Sequence, residues 1–140
     1  MAKRVPRTRA GGSMTEGAFR SFIKSGLRRM STRWKPKYDV KKQARYHKKL
    51  PNDKGRLVFH SVCNGCKHIV PETTATVDHI NPIIDPNIGF TDWDDVIHAL
   101  FCEAEGLQVL CKPCHDAKTK EEKAIDTERR RNERNVMVRP

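Results

Sequence analysis

Cys63-x-x-Cys66 and Cys111-x-x-Cys114 bracket an Asp78-His79 pair, and the second cysteine pair runs directly into His115. Two such knuckles supply four thiolates, a tetrahedral soft-ligand set that closes around structural Zn2+, or a similar ion, and leaves no open position. The residues between and beside them suit different chemistry. A carboxylate plus one imidazole can hold a divalent cation while leaving positions for phosphate and water. The remaining imidazole, with a pKa near working pH, can act as general base. A strand-end Asp-His pair alone is more often structural. What singles this one out is His115, tethered to a clamp ligand. If the clamp draws residues 63–66 and 111–114 together, a strand carrying His79 lies close to a helix carrying His115.

Short elements must position these groups. Leu57-Val58-Phe59 and Ile69-Val70 flank the first cysteine pair as the arms of a knuckle hairpin. Thr73 to Ile80 is rich in β-branched residues and reads as the strand that delivers Asp78-His79. Leu107 to Leu110 reads as a second strand. The connection over residues 81–106 contains Pro82, Pro86 and Gly89, with a short helix expected over Trp93 to Phe101. Pro113 suits the first turn of a helix, where its missing N–H would be unpaired anyway. That helix either continues through the charged stretch 116–134 or frays there. Cys102 is left over as a buried or free thiol, and His47, His60, His68 and His98 suit structural or surface roles.

The chain has 140 residues, of which 36% are hydrophobic, so a small core stapled by a metal is expected. Its charge is uneven. Residues 1–50 carry 16 Lys or Arg against Glu16 and Asp39, whereas residues 51–110 carry nine acidic side chains against three basic ones. A basic element joined to an acidic one suggests polyanion binding attached to cation binding, although a solvated tail has the same composition. Residues 1–12 read as a disordered basic arm. Ser13-x-x-Glu16 is a capping box that opens a helix, with Phe19, Phe22, Ile23, Leu27 and Met30 at helical spacing for core packing. Trp34-Lys35-Pro36 breaks it, and Tyr38 to Lys49 reads as a second, very polar helix, so residues 13–50 form a basic helical extension. Arg28, Arg29, Arg33, Lys35, Lys37, Lys41, Lys42 and Arg45 mix with Trp34 and Tyr38 there, either as a surface tracking phosphates or as ordinary helix solvation. No apolar h-region follows the basic N-terminus and no apolar run is long enough to cross a bilayer. An intracellular location without membrane contact is expected, where thiols stay reduced and knuckles hold metal.

The run Val77-Asp78-His79-Ile80-Asn81-Pro82, followed by Leu107-Gln108-Val109-Leu110-Cys111-Lys112-Pro113-Cys114-His115-Asp116-Ala117-Lys118-Thr119, resembles the HNH endonucleases, above all the small zinc-stapled ones of tailed bacteriophages. The resemblance covers roughly Cys63 to Thr119. It implies an α+β chain with a small ββα-metal core over residues 57–120 and a structural zinc at the four cysteines. N-terminal helices would precede that core and a charged helix or tail would follow over 121–140. Position by position, His79 resembles the general base, and Asp78 and His115 resemble the ligands of a catalytic divalent ion such as Mg2+ or Mn2+. Lys118 and Thr119 follow the helical motif, either as contacts to the phosphate backbone, for which Lys118 is the candidate, or simply as cap packing. Products with 5′-phosphate and 3′-hydroxyl ends would be expected. Gly106 stands where the family usually places Asn before its second strand, and Asn81 and Asn87 are candidate stand-ins.

The expectation is therefore a metal-dependent DNA endonuclease, encoded by a bacteriophage, with DNA and phage packaging proteins as partners. The alternative is a non-catalytic, zinc-stabilised module that binds DNA or a packaging partner, motivated by Gly106 and the basic arm. A bare zinc ribbon would not need Asp78, His79 and His115 together.

Overall fold

A computed structural model describes residues 3–138, and the chain divides into two compact units on either side of the Arg33–Trp34 bond. In the N-terminal unit, β1 (Arg7–Arg9) and β2 (Met14–Thr15) pair antiparallel around Ala10, Gly11 and Gly12, all at positive φ. Part of the expected disordered arm is thus a strand. α1 (Glu16–Ser31) follows, and its cap is Thr15, whose hydroxyl accepts the Ala18 N–H at 3.1 Å. Ser13 instead donates to the Ala10 carbonyl. The expected capping box does not close because the Glu16 carboxylate is already engaged by Thr8 Oγ1 at 2.8 Å and Arg9 Nε at 2.9 Å, which ties the hairpin to the helix. Phe22 and Met30, expected to pack in a core, are exposed, and Phe19 lies 4.5 Å beneath the Arg9 guanidinium.

In the second unit, α2 (Lys35–Gln43) begins where a break was expected, because Pro36 sits in its first turn, where no N–H is needed. The helix also ends earlier than expected. Beyond Ala44 the sequence offers no further apolar face, and the backbone pairs in extended form: Val62 N–H donates to the Ala44 carbonyl and Tyr46 N–H to the His60 carbonyl, both at 2.8 Å. The 13–50 extension is accordingly divided between the two units. Next come the hairpin β3 (Leu50–Pro51) and β4 (Leu57–Val58), then the hairpin β5 (His60–Val62) and β6 (Ile69–Pro71). The knuckle hairpin is therefore built from residues 60–62 and 69–71, while Leu57-Val58 pairs upstream.

β7 (Thr76–His79) is followed by α3 (Trp93–Leu100), β8 (Leu107–Leu110) and α4 (Lys112–Val138). β7 and β8 pair antiparallel, with Asp78 opposite Gln108 and His79 opposite Leu107. α4 runs unbroken through the charged stretch. Alternation along the strands sorts their side chains. Val77, Leu107 and Val109 face α2 and pack on Val40, while Asp78 and Gln108 face the other way. A second cluster joins Leu110 and Val70 to Cys63, Cys111 and Cys114. The molecule is α+β, built of helices and two-stranded antiparallel sheets, and no described helix is long and apolar enough to cross a membrane.

Candidate metal centre and adjoining polar site

The turn between β5 and β6 presents Cys63 and Cys66, and the junction of β8 with α4 presents Cys111 and Cys114. Their four sulfur atoms lie within 4.8 Å of one another. Lys67 at φ 64° closes the first knuckle, with its N–H donating to the Cys63 carbonyl, and the Asn64 N–H donates to the Val109 carbonyl at 2.8 Å to seat that knuckle on β8. Gly65 permits the approach, since a Cβ there would stand 3.2 Å from Cys114 Sγ.

The thiols themselves call for a cation. Burial alone would raise the Cys63 pKa, but N–H groups of Cys111, Cys66 and Gly65 directed at its sulfur bring it down to about 6. Cys114 is pushed up to about 12 by the neighbouring sulfurs of Cys111, Cys63 and Cys66. One thiolate forms easily, and four at this spacing cannot coexist without positive charge among them. A closed set of four sulfurs fits Zn2+ in a structural role.

Beside this cluster, on the α4 face of the β7–β8 ribbon, Asp78 is the focus of a polar site. Its Oδ2 accepts from Gln108 Nε2 and from Lys118 Nζ, both at 3.1 Å. Its Oδ1 lies 3.8 Å from His115 Nε2. Gln108 also accepts from Asn64 Nδ2 at 2.8 Å, so one amide side chain links the first cysteine knuckle to the carboxylate. Asp78 and His115 are two groups able to share a divalent ion, and His115 is half-buried.

His79 is the next residue of β7 and turns towards the end of α3. Its Nε2 lies 3.0 Å from the Leu100 carbonyl. A carbonyl only accepts, so Nε2 carries the ring proton and Nδ1 is left as the basic nitrogen. Burial lowers the His79 pKa; the Leu100 carbonyl works against this, and the nearby charge of Lys37 reinforces it. Gly106, just before β8, holds the strand end through its backbone: its carbonyl accepts the Ile80 N–H at 2.9 Å. No longer residue fits there unaided, because a Cβ at 106 would meet Cys102 Sγ at 2.9 Å. Cys102 is half-buried against the Val40 cluster, and Trp34 Nε1 donates to its carbonyl.

The basic candidates divide between the two units. Arg28, Arg29 and Arg33 are exposed in the N-terminal unit. In the second unit Lys35 pairs with Asp39, Lys37 and Lys41 are half-buried and Lys42 is exposed. Arg45 pairs with Glu72 and lies over the Phe59 ring at 4.1 Å. Lys118, a candidate phosphate contact, is turned inward to Asp78 and the His79 carbonyl. His60 is buried with Nδ1 at the Val58 carbonyl, and His98 bonds the Asp94 carbonyl within its helix, so both serve structure. The sequence reading overlooked Gln108 and Glu122. The first follows from strand register once Asp78 is placed, and the second from its i+4 spacing to Lys118. No protein-family model matches the chain, and neither the curated proteins nor the solved structures contain a match.

Proposed function

We propose that the protein is a metal-dependent endonuclease of the HNH type, hydrolysing DNA phosphodiester bonds with His79 as general base and with Asp78 and His115 holding one divalent ion. The observation that carries this reading is the convergence of Asp78 Oδ1 and His115 Nε2 to 3.8 Å, next in sequence to an imidazole whose free nitrogen is fixed by a carbonyl. Two ligands of a magnesium-sized ion stand about 3 Å apart, so a small side-chain adjustment suffices.

His79 Nδ1 takes the proton of an attacking water, and its lowered pKa keeps it neutral for that task at pH 7. A bound divalent ion would supply charge stabilisation for the phosphoryl group and the departing oxygen. Asp78 and His115 orient that ion, and Gln108 orients Asp78. The four cysteines, loaded with zinc, hold β8 and the start of α4 where His115 needs them. Basic side chains would add sequence-independent affinity for the DNA backbone.

The test is plasmid cleavage by zinc-loaded protein freed of other divalent ions. It should be inert until Mg2+ or Mn2+ is added and should then nick or linearise the DNA; inactivity with both ions contradicts the proposal. A second reading, a zinc-stabilised DNA-binding module without catalysis, is favoured by Gly106, where crowding by Cys102 leaves no room for an orienting side chain. Retained DNA binding without cleavage, and without uptake of a second ion, would select it.

A further inference from the structure

Lys118 sits one turn beyond His115 on α4, yet its ammonium points back into the polar site. Nζ lies 3.1 Å from Asp78 Oδ2, donates to the His79 carbonyl at 2.9 Å and pairs with Glu122 Oε1 at 2.6 Å. The side chain is only 24% exposed, so these bonds compete little with water. Two carboxylates, Asp78 and Glu122, flank the ammonium and hold it in its charged form. Two consequences follow from the geometry. Asp78 Oδ2 is saturated by Lys118 and Gln108, which leaves Oδ1 alone to face His115. The same ammonium grips the main chain of His79, so one cation fixes both the carboxylate and the peptide of the adjacent imidazole.

Charge adds a second effect. A divalent ion on Oδ1 would share one carboxylate with an ammonium already on Oδ2. Like charges a few ångströms apart in a partly buried site repel, because little solvent lies between them to screen the interaction.

We infer that Lys118 is a positioning residue for Asp78 and His79 whose charge also weakens the grip of Asp78 and His115 on a divalent ion. The inference rests on the endonuclease reading above for the identity of the ion's site. Ion release into and out of the site is thereby tied to the arrival of a negatively charged phosphate, which restores the attraction that Lys118 removes.

The experiment titrates MnCl2 calorimetrically into zinc-loaded full-length wild type, Lys118→Met and Lys118→Arg, with plasmid cleavage measured in parallel. Lys118→Met should bind Mn2+ at least about fivefold more tightly while kcat falls and KM for DNA holds, and Lys118→Arg should keep wild-type ion affinity. Unchanged Mn2+ affinity with a raised KM would make Lys118 a phosphate contact and overturn the inference. So would joint loss of ion binding and thermal stability, provided that Glu122→Gln also leaves Mn2+ affinity unchanged. Glu122→Gln leaves the ammonium to Asp78 and should weaken Mn2+ binding by a few fold. If wild type takes up no Mn2+, the endonuclease reading fails separately. The clamp is then decided by 15N spectra of the lysine ammonium: a slowly exchanging Nζ signal that Asp78→Asn shifts supports it, and no such signal overturns it.

Discussion

Asp78 and His79 are neighbours in sequence with opposite surroundings, and the difference suits them to the two different roles proposed. Asp78 lies among donors, with one oxygen occupied and the other turned to His115. His79 is half-buried with its Nε2 proton held by Leu100, and burial depresses its pKa. The neutral form is the one that can accept a proton. Activity should therefore rise with pH along an acid limb whose midpoint lies below the ordinary histidine value of about 6.5, and should be level at neutrality. A kcat/KM profile with its midpoint above that value would contradict the assignment. The stability linkage has the same sign. Because folding disfavours the imidazolium, this group's contribution is present above the unfolded pKa and is lost as pH falls.

The β7–β8 ribbon is the element on which the site depends, and Gln108 is its connection to the metal clamp. Asn64, between the first two cysteines, holds the oxygen of the Gln108 amide, and the nitrogen of that amide holds Asp78. Gln108→Leu should keep the zinc and the fold but lower DNA cleavage by about tenfold or more, since a hydrogen bond to a charged group is worth about 1.5–3 kcal/mol. Normal cleavage in a variant with full zinc content would show that the link is idle. Both strands and the start of α4 could be read from sequence, because β-branched runs and Pro113 have few alternative uses. The N-terminal boundaries could not. Pro36 serves equally to end one helix or to open another, and only packing of Val40 on Leu107 and Val109 decides between them. Ser13 and Thr15 compete for the same cap, and the contest is settled by Thr8 and Arg9 taking Glu16. Lys118 shows the same limit. A lysine's partners cannot be inferred from its own helix when two of them, Asp78 and the His79 carbonyl, lie on a strand some forty residues earlier.

At the scale of the molecule, the buried hydrophobic core among the described residues consists of Val40, Val96, Leu100, Leu107, Val109, Leu110 and two cysteines of the cluster, Cys63 and Cys111. Such a core contributes little without its staple. Structural zinc sites supply about 10–16 kcal/mol of apparent binding free energy at pH 7. Removing the ion with a strong chelator should therefore abolish the cooperative melt of the 34–138 unit, followed by near-ultraviolet circular dichroism. An unchanged melt would show that the four thiols close the fold by themselves. The central claim concerns chemistry, however, and one comparison meets it directly: the rate at which zinc-loaded wild type and His79→Ala cleave supercoiled plasmid with Mg2+ or Mn2+, with zinc content and folding matched. Loss of general-base catalysis should slow the variant by about 100-fold or more. Equal rates would mean that His79 is not the base and that the site does not work as a hydrolytic centre.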